Sequence, residues 1–313
     1  MVYYQQGTKR VTNNLMAINF RFSSVNRSKS FLICILAYLF AGVVALAVGY
    51  ILREYHPLLI VGVADLTAMV VIFIFSLIFD NSSLYDPYWS VAPVFISLYW
   101  ALTLVAGVDT VRQIVVLVLL YIWAIRLTFN WIRRWRGLGH EDWRYTDFRL
   151  NTGKWYWPVS FLAIHLVPTA LVFGGCLPVY AAVSAGIKNF GIIDYLAIIV
   201  ALTAIIIETV SDRQLHKFLS SLKDEGEILT SGLWAYSRHP NYFGEVLFWW
   251  GLFLFALAAA PSYWWTVFGP ALITLLFIFI SIPMIEKRLK KRKPDYAAKR
   301  QGVSTFIPWF TGV

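Results

Sequence analysis

Long apolar runs separated by short polar connections make up most of the chain. Windows of about 20 mostly apolar residues, the length that crosses the hydrocarbon core of a bilayer, recur from residue 31 onward. The ends of such windows are soft. The pattern therefore predicts an all-α integral membrane protein, a multi-pass helical bundle of seven or eight transmembrane helices. The predicted spans are 31–52, 58–79, 88–106, 111–129, 158–181, 190–210, 243–260 and 262–283.

Composition and charge agree with this class and set an orientation. Hydrophobic residues make up 59% of the chain and charged residues 14%, which excludes an ordinary soluble domain. If eight spans alternate from a cytoplasmic N-terminus, 24 of the 27 Lys and Arg residues lie on the cytoplasmic side. The positive-inside rule then places both termini in the cytoplasm. The net charge of +10 follows from this topology and from contact with anionic headgroups, so no nucleic-acid partner is expected.

No repeat or flexible linker divides the spans. We expect residues 1–57 to form a basic N-terminal segment with the first transmembrane helix, and residues 58–313 to form one membrane domain. The longest connections, 130–157 and 211–242, and the tail 284–313 carry most of the polar side chains on the predicted cytoplasmic side. The working site is therefore expected to face the cytoplasm, in a bacterial inner membrane or the endoplasmic reticulum.

The segment SRHPNYFGE gathers polar groups where a span begins. Pro240 is expected in the first helical turn, where its missing N–H costs nothing. Asn241, Tyr242 and Glu245 then fall on one helix face, just after Arg238. The four side chains offer a guanidinium that can donate hydrogen bonds to a phosphate, an amide, a phenol and a carboxylate. They lie near a helix N-terminus, which favours anions. An interfacial anchor would explain the aromatic residues, but an Asn and a Glu one turn apart at depth favour a binding site.

Glu208 and Asp212 lie one turn apart in the segment IETVSDRQLHKF, at the inner end of a predicted span. Two carboxylates at that spacing repel each other unless a cation or several donors lie between them. Arg213, His216 and Lys217 follow. The segment is therefore equally consistent with a phosphate-bearing ligand such as a nucleotide and with a solvated helix end.

Two further pairs lie at predicted cytoplasmic helix ends, where an ionisable residue is a site hypothesis by default. Arg126 and Asn130 are one turn apart at the end of the fourth span and would face one cavity. Asp86 and Tyr88 begin the third span in the segment NSSLYDPYW, whose Asn and Pro otherwise indicate a turn. Asp65 lies deeper, where a hydrogen bond between helices and a catalytic role are both open.

Several of these segments resemble the motifs of a known family. They are IETVSDRQLHKF, GLWAYSRHPNYFGE, WWG, an upstream EDWRY and a terminal PDYAAKRQGVSTFIPW, and they are similar to those of a domain-of-unknown-function membrane family related to steroid 5-alpha reductases. The resemblance covers about residues 60–313. The steroid reductases carry an Asn, an aromatic residue, a Gly and a Glu in the same order, with an Asp as far upstream as Asp212 is from Asn241.

The resemblance implies an enzyme of lipid metabolism, an NADPH-dependent oxidoreductase. Its substrate would be a lipid or steroid with a carbon–carbon double bond conjugated to a carbonyl, and NADPH would bind in the cytoplasmic half of the bundle. The chain has no dinucleotide-binding or Walker motif, so the bundle and its loops must hold the nucleotide. The His residues lack zinc-ligand spacing, so no metal is expected. The cofactor-binding candidates are Arg126, Asn130, Glu208, Asp212, Arg238, His239, Asn241 and Glu245.

The carbonyl-activating acid is where this sequence departs from the family. The steroid reductases pair a Glu with a Tyr, whereas Trp123 occupies the Tyr position here and Asp86 stands nearest to the place of the Glu. Enolate charge developing on the carbonyl oxygen needs a donor, which a protonated carboxyl or a phenol can supply. The catalytic candidates are Asp86, Tyr88, Tyr242 and Glu245.

Two other functions share parts of the pattern. Isoprenylcysteine carboxyl and phospholipid methyltransferases also carry RHPxY near a C-terminal membrane helix and bind S-adenosylmethionine. Against them, Glu245 and the upstream Glu208 and Asp212 favour the reductase. A non-enzymatic sterol-binding membrane protein would keep the cavity without turnover, and Trp123 is consistent with that alternative.

Overall fold

The computed structural model describes residues 22, 24–103, 106–222, 224 and 226–309, and every regular element among them is a helix. The α-helices are α1 (Arg27–Ile51), α2 (Pro57–Ile78), α3 (Tyr88–Leu102), α4 (Thr110–Arg134), α5 (Trp143–Thr152), α6 (Tyr156–Val159), α7 (Val167–Tyr180), α8 (Ile192–Ser220), α9 (Leu233–Tyr236), α10 (Pro240–Ala259), α11 (Phe268–Leu276), α12 (Ile282–Arg292) and α13 (Tyr296–Lys299). Short 3₁₀-helices cover Ser82–Tyr85, Gly153–Trp155 and Pro261–Val267, and π-helical turns cover Ser160–Leu166, Ala181–Ala185 and Phe277–Ser281.

Among the described residues, seven helices are long and apolar enough to cross a bilayer. They are α1, α2, α4, α8, α10 and the composite helices Trp143–Ala185 and Pro261–Arg292. The third predicted span, 88–106, corresponds to α3, whose 15 residues fall short of the roughly 20 that a perpendicular crossing needs. The predicted all-α fold is confirmed, and seven candidate spans lie within the predicted seven to eight. The cytoplasmic location of the C-terminus stays a prediction.

The contacts between residues divide the described chain into two compact units. The first unit takes residues 22–103 and 120–176, and the second takes residues 106–119 and 177–309. The sequence predicted a boundary after residue 57, between the N-terminal segment with its first helix and the membrane domain. That boundary follows the extent of the sequence resemblance and not contacts between residues, and it stays a prediction.

In the first unit, α1 is bound to the turn that follows α4. Arg27 Nε donates to the carbonyl oxygen of Trp135 at 2.9 Å, and the backbone N of Leu138 donates to Ser30 Oγ at 3.1 Å. Gly137 has a φ of +98°, and a Cβ there would lie 2.8 Å from Ser30 Oγ. Only glycine combines that backbone conformation with such a close approach. The first candidate span, α1, is therefore an integral part of its unit.

The polar segment that precedes α3 is buried within the first unit, although its sequence indicated a short cytoplasmic turn. Asn81 caps the 3₁₀-helix, as its type suggested, but its Nδ2 also donates to the carbonyl oxygen of Leu138 at 2.9 Å. Ser82 Oγ lies 2.6 Å from Tyr156 Oη and 2.9 Å from Ser160 Oγ. A buried segment must find such partners because water cannot supply them.

In the second unit, α8 packs closely against α10. Gly244 and Gly251 lie about two turns apart on the face of α10 that meets α8. A Cβ at Gly251 would lie 3.1 Å from the backbone N of Ala201, and one at Gly244 would lie 2.5 Å from Glu208 Cγ. The two glycines therefore set the helix separation and place Glu208 directly against α10.

We expect Gly244→Ala to lower the thermal stability of the detergent-solubilised protein. The added Cβ would press on Glu208 and on the carbonyl oxygen of Ala204, 3.0 Å away. Overpacking of this kind costs about 1–3 kcal/mol, which exceeds the gain of up to about 1 kcal/mol in helix propensity. Gly42→Ala in α1 is the matched control, because no atom lies within 4 Å of its added Cβ. Circular dichroism measures the melting temperatures. Equal values for the two variants would contradict the role of Gly244 in helix packing.

Candidate functional site

The start of α10 places two polar side chains one turn apart inside the second unit. Pro240 occupies the first turn, as expected, and Asn241 and Glu245 are only 7% and 5% exposed. Glu245 Oε1 accepts a hydrogen bond from Trp249 Nε1 at 3.0 Å, which fixes the carboxylate along the helix. α10 is also the most buried of the seven candidate spans, with 72% of its apolar window inside the protein. The polar face of α10 therefore points into the unit and away from lipid.

Asn241 carries an unsatisfied acceptor. Its Oδ1 is buried and makes no hydrogen bond with any residue that the structure describes. Leaving a buried acceptor without a partner costs about 1–3 kcal/mol, so most native structures avoid it. An amide can accept and donate at once. Asn241 is therefore a ready partner for a ligand that brings an N–H or O–H group.

Tyr242 and His239 form a stacked pair beside this position. Their rings are 5.5 Å apart at an interplanar angle of 13°, and Tyr242 also packs on Phe277 at 4.9 Å. His239 Nε2 donates to Glu286 Oε1 at 3.0 Å, and Tyr296 Oη donates to the same oxygen at 2.6 Å. Burial lowers the pKa of His239, against the pull of the neighbouring carboxylate. A neutral imidazole that donates through Nε2 fits this geometry.

Arg238 binds the C-terminal segment of the chain. Its Nε donates to the carbonyl oxygen of Val303 at 3.1 Å, and its Nη2 donates to that of Arg300 at 2.8 Å. Its Nη1 lies 3.3 Å from Glu286 Oε2. These bonds give Arg238 a structural role at the start of α10, and its predicted contact with a phosphate stays a prediction.

Glu208 and Asp212 lie on α8, the first fully buried and the second half-buried. Glu208 meets α10 at Gly244, and both carboxylates interact with other groups of the chain. Close by, Trp234 Nε1 donates to the carbonyl oxygen of Ser211 at 3.1 Å, which ties the following loop to this end of α8. A ligand between the two carboxylates stays a prediction.

In the first unit, Tyr88 is hydrogen-bonded to a buried acid, Asp65. Tyr88 Oη lies 2.7 Å from Asp65 Oδ1 and 2.8 Å from the carbonyl oxygen of the same residue. Both side chains are buried, and Asp65 Oδ2 makes no hydrogen bond with the described residues. The single O–H of Tyr88 is directed at Asp65, which holds the phenol in place in an apolar interior. The hydrogen bond between helices is present at Asp65, and a catalytic role for this residue stays a prediction.

Asp86 has a different set of partners. Tyr145 Oη donates to its Oδ1 at 2.6 Å, and Arg144 Nη2 lies 3.7 Å from the same oxygen. Arg144 is shared, because its Nε also donates to Asp142 Oδ1 at 2.7 Å. Burial raises the pKa of Asp86 to about 7, although the charge of Arg144 opposes the shift. Asp86 is therefore a carboxyl that can hold a proton near neutral pH.

Arg126 and Asn130 lie half-buried one turn apart on α4, and Trp123 on the same helix is fully buried. Arg126 and Asn130 each interact with other groups of the chain. The predicted site residues thus belong to both units. Those in the first unit are Asp86, Tyr88, Arg126 and Asn130, and those in the second are Glu208, Asp212, Arg238, His239, Asn241, Tyr242 and Glu245.

Sequence reasoning did not assign two partners of these residues. Tyr145 lies in the segment EDWRY, but nothing in that segment indicates Asp86, the distant acid that it binds. Asp65 did carry a signal, since an acid within an apolar span is rarely neutral to function. Its pairing with Tyr88 depends on how α3 returns beside α2 and is not readable from spacing.

Comparison with known proteins finds sequence similarity to a family without a described activity. A family described as a protein of unknown function, DUF1295, matches residues 72–303. The uncharacterized protein C594.04c of Schizosaccharomyces pombe is 27% identical over 256 residues, which is 74% of each chain. No solved structure matches the chain significantly.

We expect Asp86→Asn to change the pH dependence of stability. An unfolded Asp titrates near pH 4, so between about pH 4 and 7 the folded chain binds more protons and its stability falls as the pH rises. Asn keeps the acceptor for Tyr145 but does not titrate. The measured quantity is the melting temperature of the variant minus that of the native chain. This difference should be more positive at pH 8 than at pH 5, by about 2 °C or more.

The control for this measurement is Asp295→Asn, which removes an exposed carboxyl whose Oδ2 lies 3.7 Å from Lys299. It tests for a general effect of losing one negative charge. An Asp86→Asn curve that stays parallel to the native curve between pH 5 and 8 would show that Asp86 is ionised throughout.

Proposed function

The chain belongs to the DUF1295 family, and from that premise we propose that it is an NADPH-dependent oxidoreductase of a membrane. The proposed reaction reduces a carbon–carbon double bond conjugated to a carbonyl in a lipid, for example a 3-oxo-Δ4-steroid. The order Asn, aromatic residue, Gly and Glu at the start of α10, shared with the steroid 5-alpha reductases, supports the proposal.

One observation carries the proposal furthest, the unsatisfied Oδ1 of Asn241. The carboxamide of a nicotinamide ring presents an N–H donor of the kind that this acceptor lacks, and the Asn241 amide can donate in return. Glu245 lies one turn further along the same buried face and offers a second acceptor. A buried amide and a carboxylate at this spacing can fix the orientation of a planar amide-bearing ring.

The rest of the cofactor would be held by groups of the second unit. Glu208 and Asp212 supply acceptors suited to hydroxyl groups. Arg213, His216 and Lys217 are exposed on the last turns of α8, at a spacing that puts them on one face, and supply donors suited to phosphates. When bound, NADPH would supply the hydride that the reaction requires.

The chain itself must polarise the carbonyl and deliver one proton. Taken by itself, the first unit offers two acids for this work. Tyr88 is our first candidate, because its phenol is held by Asp65 in an apolar interior where a hydrogen bond to developing enolate charge is strong. Asp86 is the second candidate and can carry a proton near neutral pH. Tyr242 and Glu245 keep their predicted catalytic roles as alternatives in the second unit.

We expect the detergent-purified protein to bind NADPH, and Asn241→Ala to weaken that binding about tenfold or more. The reason is that truncation leaves the ligand donor without its buried acceptor, a loss of about 1–3 kcal/mol. Cofactor fluorescence or calorimetry measures the affinity. Asn189→Ala is the matched control, because Asn189 is exposed in the same unit.

The same titration with S-adenosylmethionine tests the methyltransferase alternative. Binding of S-adenosylmethionine without NADPH would overturn the reductase. NADPH binding without turnover of any enone lipid would favour a non-enzymatic lipid binder, and binding of neither cofactor would count against both enzyme classes.

We expect Tyr88→Phe to lower NADPH oxidation with an enone lipid by about 10²–10³-fold, the usual effect of removing one preorganised donor to an oxyanion. NADPH affinity should be retained, because Tyr88 is assigned to the substrate. Asp65→Asn should give a smaller loss, since it keeps an acceptor for the phenol. Tyr99→Phe, a half-buried tyrosine on the same helix, is the control. Full turnover by Tyr88→Phe would remove Tyr88 from the reaction and leave Asp86 as the next candidate.

A further inference from the structure

The last candidate span of the second unit, Pro261–Arg292, ends in a basic helix, α12. Lys287, Lys290 and Lys291 are exposed on α12, and their spacing forms one stripe along it. Between residues 287 and 293 the sequence has six cations and no acid. Lys290 Nζ lies 4.0 Å from Glu286, whereas Lys287 and Lys291 form no ion pair within the described part of the chain. The stripe is therefore a concentrated, largely uncompensated positive charge.

A short C-terminal segment, residues 304–309, exposes large apolar side chains. Ile307 is 56% exposed and Trp309 is 70% exposed, although the backbone around them is fixed. Three hydrogen bonds hold the segment to residues 236–238. They are Arg238 N to the carbonyl oxygen of Ser304 at 2.8 Å, Ser237 Oγ to that of Phe306 at 2.7 Å, and Trp309 N to that of Tyr236 at 3.1 Å.

Arg238 connects the stripe and the exposed segment. Its guanidinium donates to the carbonyl oxygen of Val303, next to the segment, and approaches Glu286, which immediately precedes Lys287. The C-terminal segment and the beginning of the lysine stripe are thus linked through the Arg238 side chain. The exposed Ile307 and Trp309 side chains are therefore carried on a backbone that is fixed relative to the start of the stripe.

The two features match the two layers of a bilayer surface. Tryptophan prefers the headgroup level of the bilayer, and lysines close to a span are attracted to anionic lipid headgroups, each by a factor of about five. We propose that the Lys287, Lys290 and Lys291 stripe binds anionic phospholipid headgroups while Ile307 and Trp309 insert into the interface beside it. This inference does not rest on the proposed reductase activity.

A fluorophore at position 307 tests the proposal in the full-length protein. Cys34 and Cys176 are 4% and 0% exposed, so Ile307→Cys supplies one accessible thiol for an uncharged bimane label. The labelled protein is reconstituted into vesicles of phosphatidylcholine alone or with about 30% phosphatidylserine. We expect a blue shift of bimane emission in the anionic vesicles that high salt reverses. Both leaflets carry phosphatidylserine, so the result does not depend on orientation.

The controls separate headgroup binding from other causes of a blue shift. Replacing the three lysines by glutamine should abolish the difference between the two vesicles, and a label at exposed Thr230 should show none. Equal emission in both vesicles would overturn the proposal. A shift that persists in the triple variant would do the same, because apolar insertion alone would then explain it.

Discussion

Buried polar groups have no water to bond with, and this constraint shapes both units. In the first unit the polar segment before α3 is buried, and its hydroxyl and amide groups are satisfied by Tyr156, Ser160 and the carbonyl oxygen of Leu138. In the second unit Glu286 collects hydrogen bonds from His239 and Tyr296. Burying each group requires a hydrogen-bond partner, and several buried side-chain atoms among the described residues make no hydrogen bond.

Asn241 Oδ1 and Asp65 Oδ2 are two such atoms. Each lies next to a side chain that does have a partner, Glu245 in the second unit and Tyr88 in the first. An unsatisfied acceptor reduces stability, and a ligand, an ordered water or an ion can complete it. The two atoms are therefore candidates for ligand contacts.

Much of the fold followed from the apolar runs, because a bilayer-spanning helix needs about 20 apolar residues and such runs are visible in one sequence. α3 is the exception, since its apolar run continues past residue 102 while the helix ends there. The face of α10 was also predictable, because Asn241 and Glu245 at one-turn spacing cannot both face lipid. Partners distant in sequence were not predictable. The link from Asp86 to Tyr145 joins residues 59 positions apart, and no local pattern encodes that approach.

The different contacts of Arg238, His239, Asn241 and Glu245 bear on the choice between the two proposed cofactors. Arg238 binds Glu286 and the carbonyl oxygens of Arg300 and Val303, and His239 binds Glu286, so both residues pack the start of α10 against the tail of the chain. Sharing these two residues with methyltransferases therefore says little about a methyl donor. Asn241 and Glu245 are buried at the start of α10 and are not part of that packing. The resemblance to steroid reductases rests on this second pair, and for this reason we propose a reductase and not a methyltransferase.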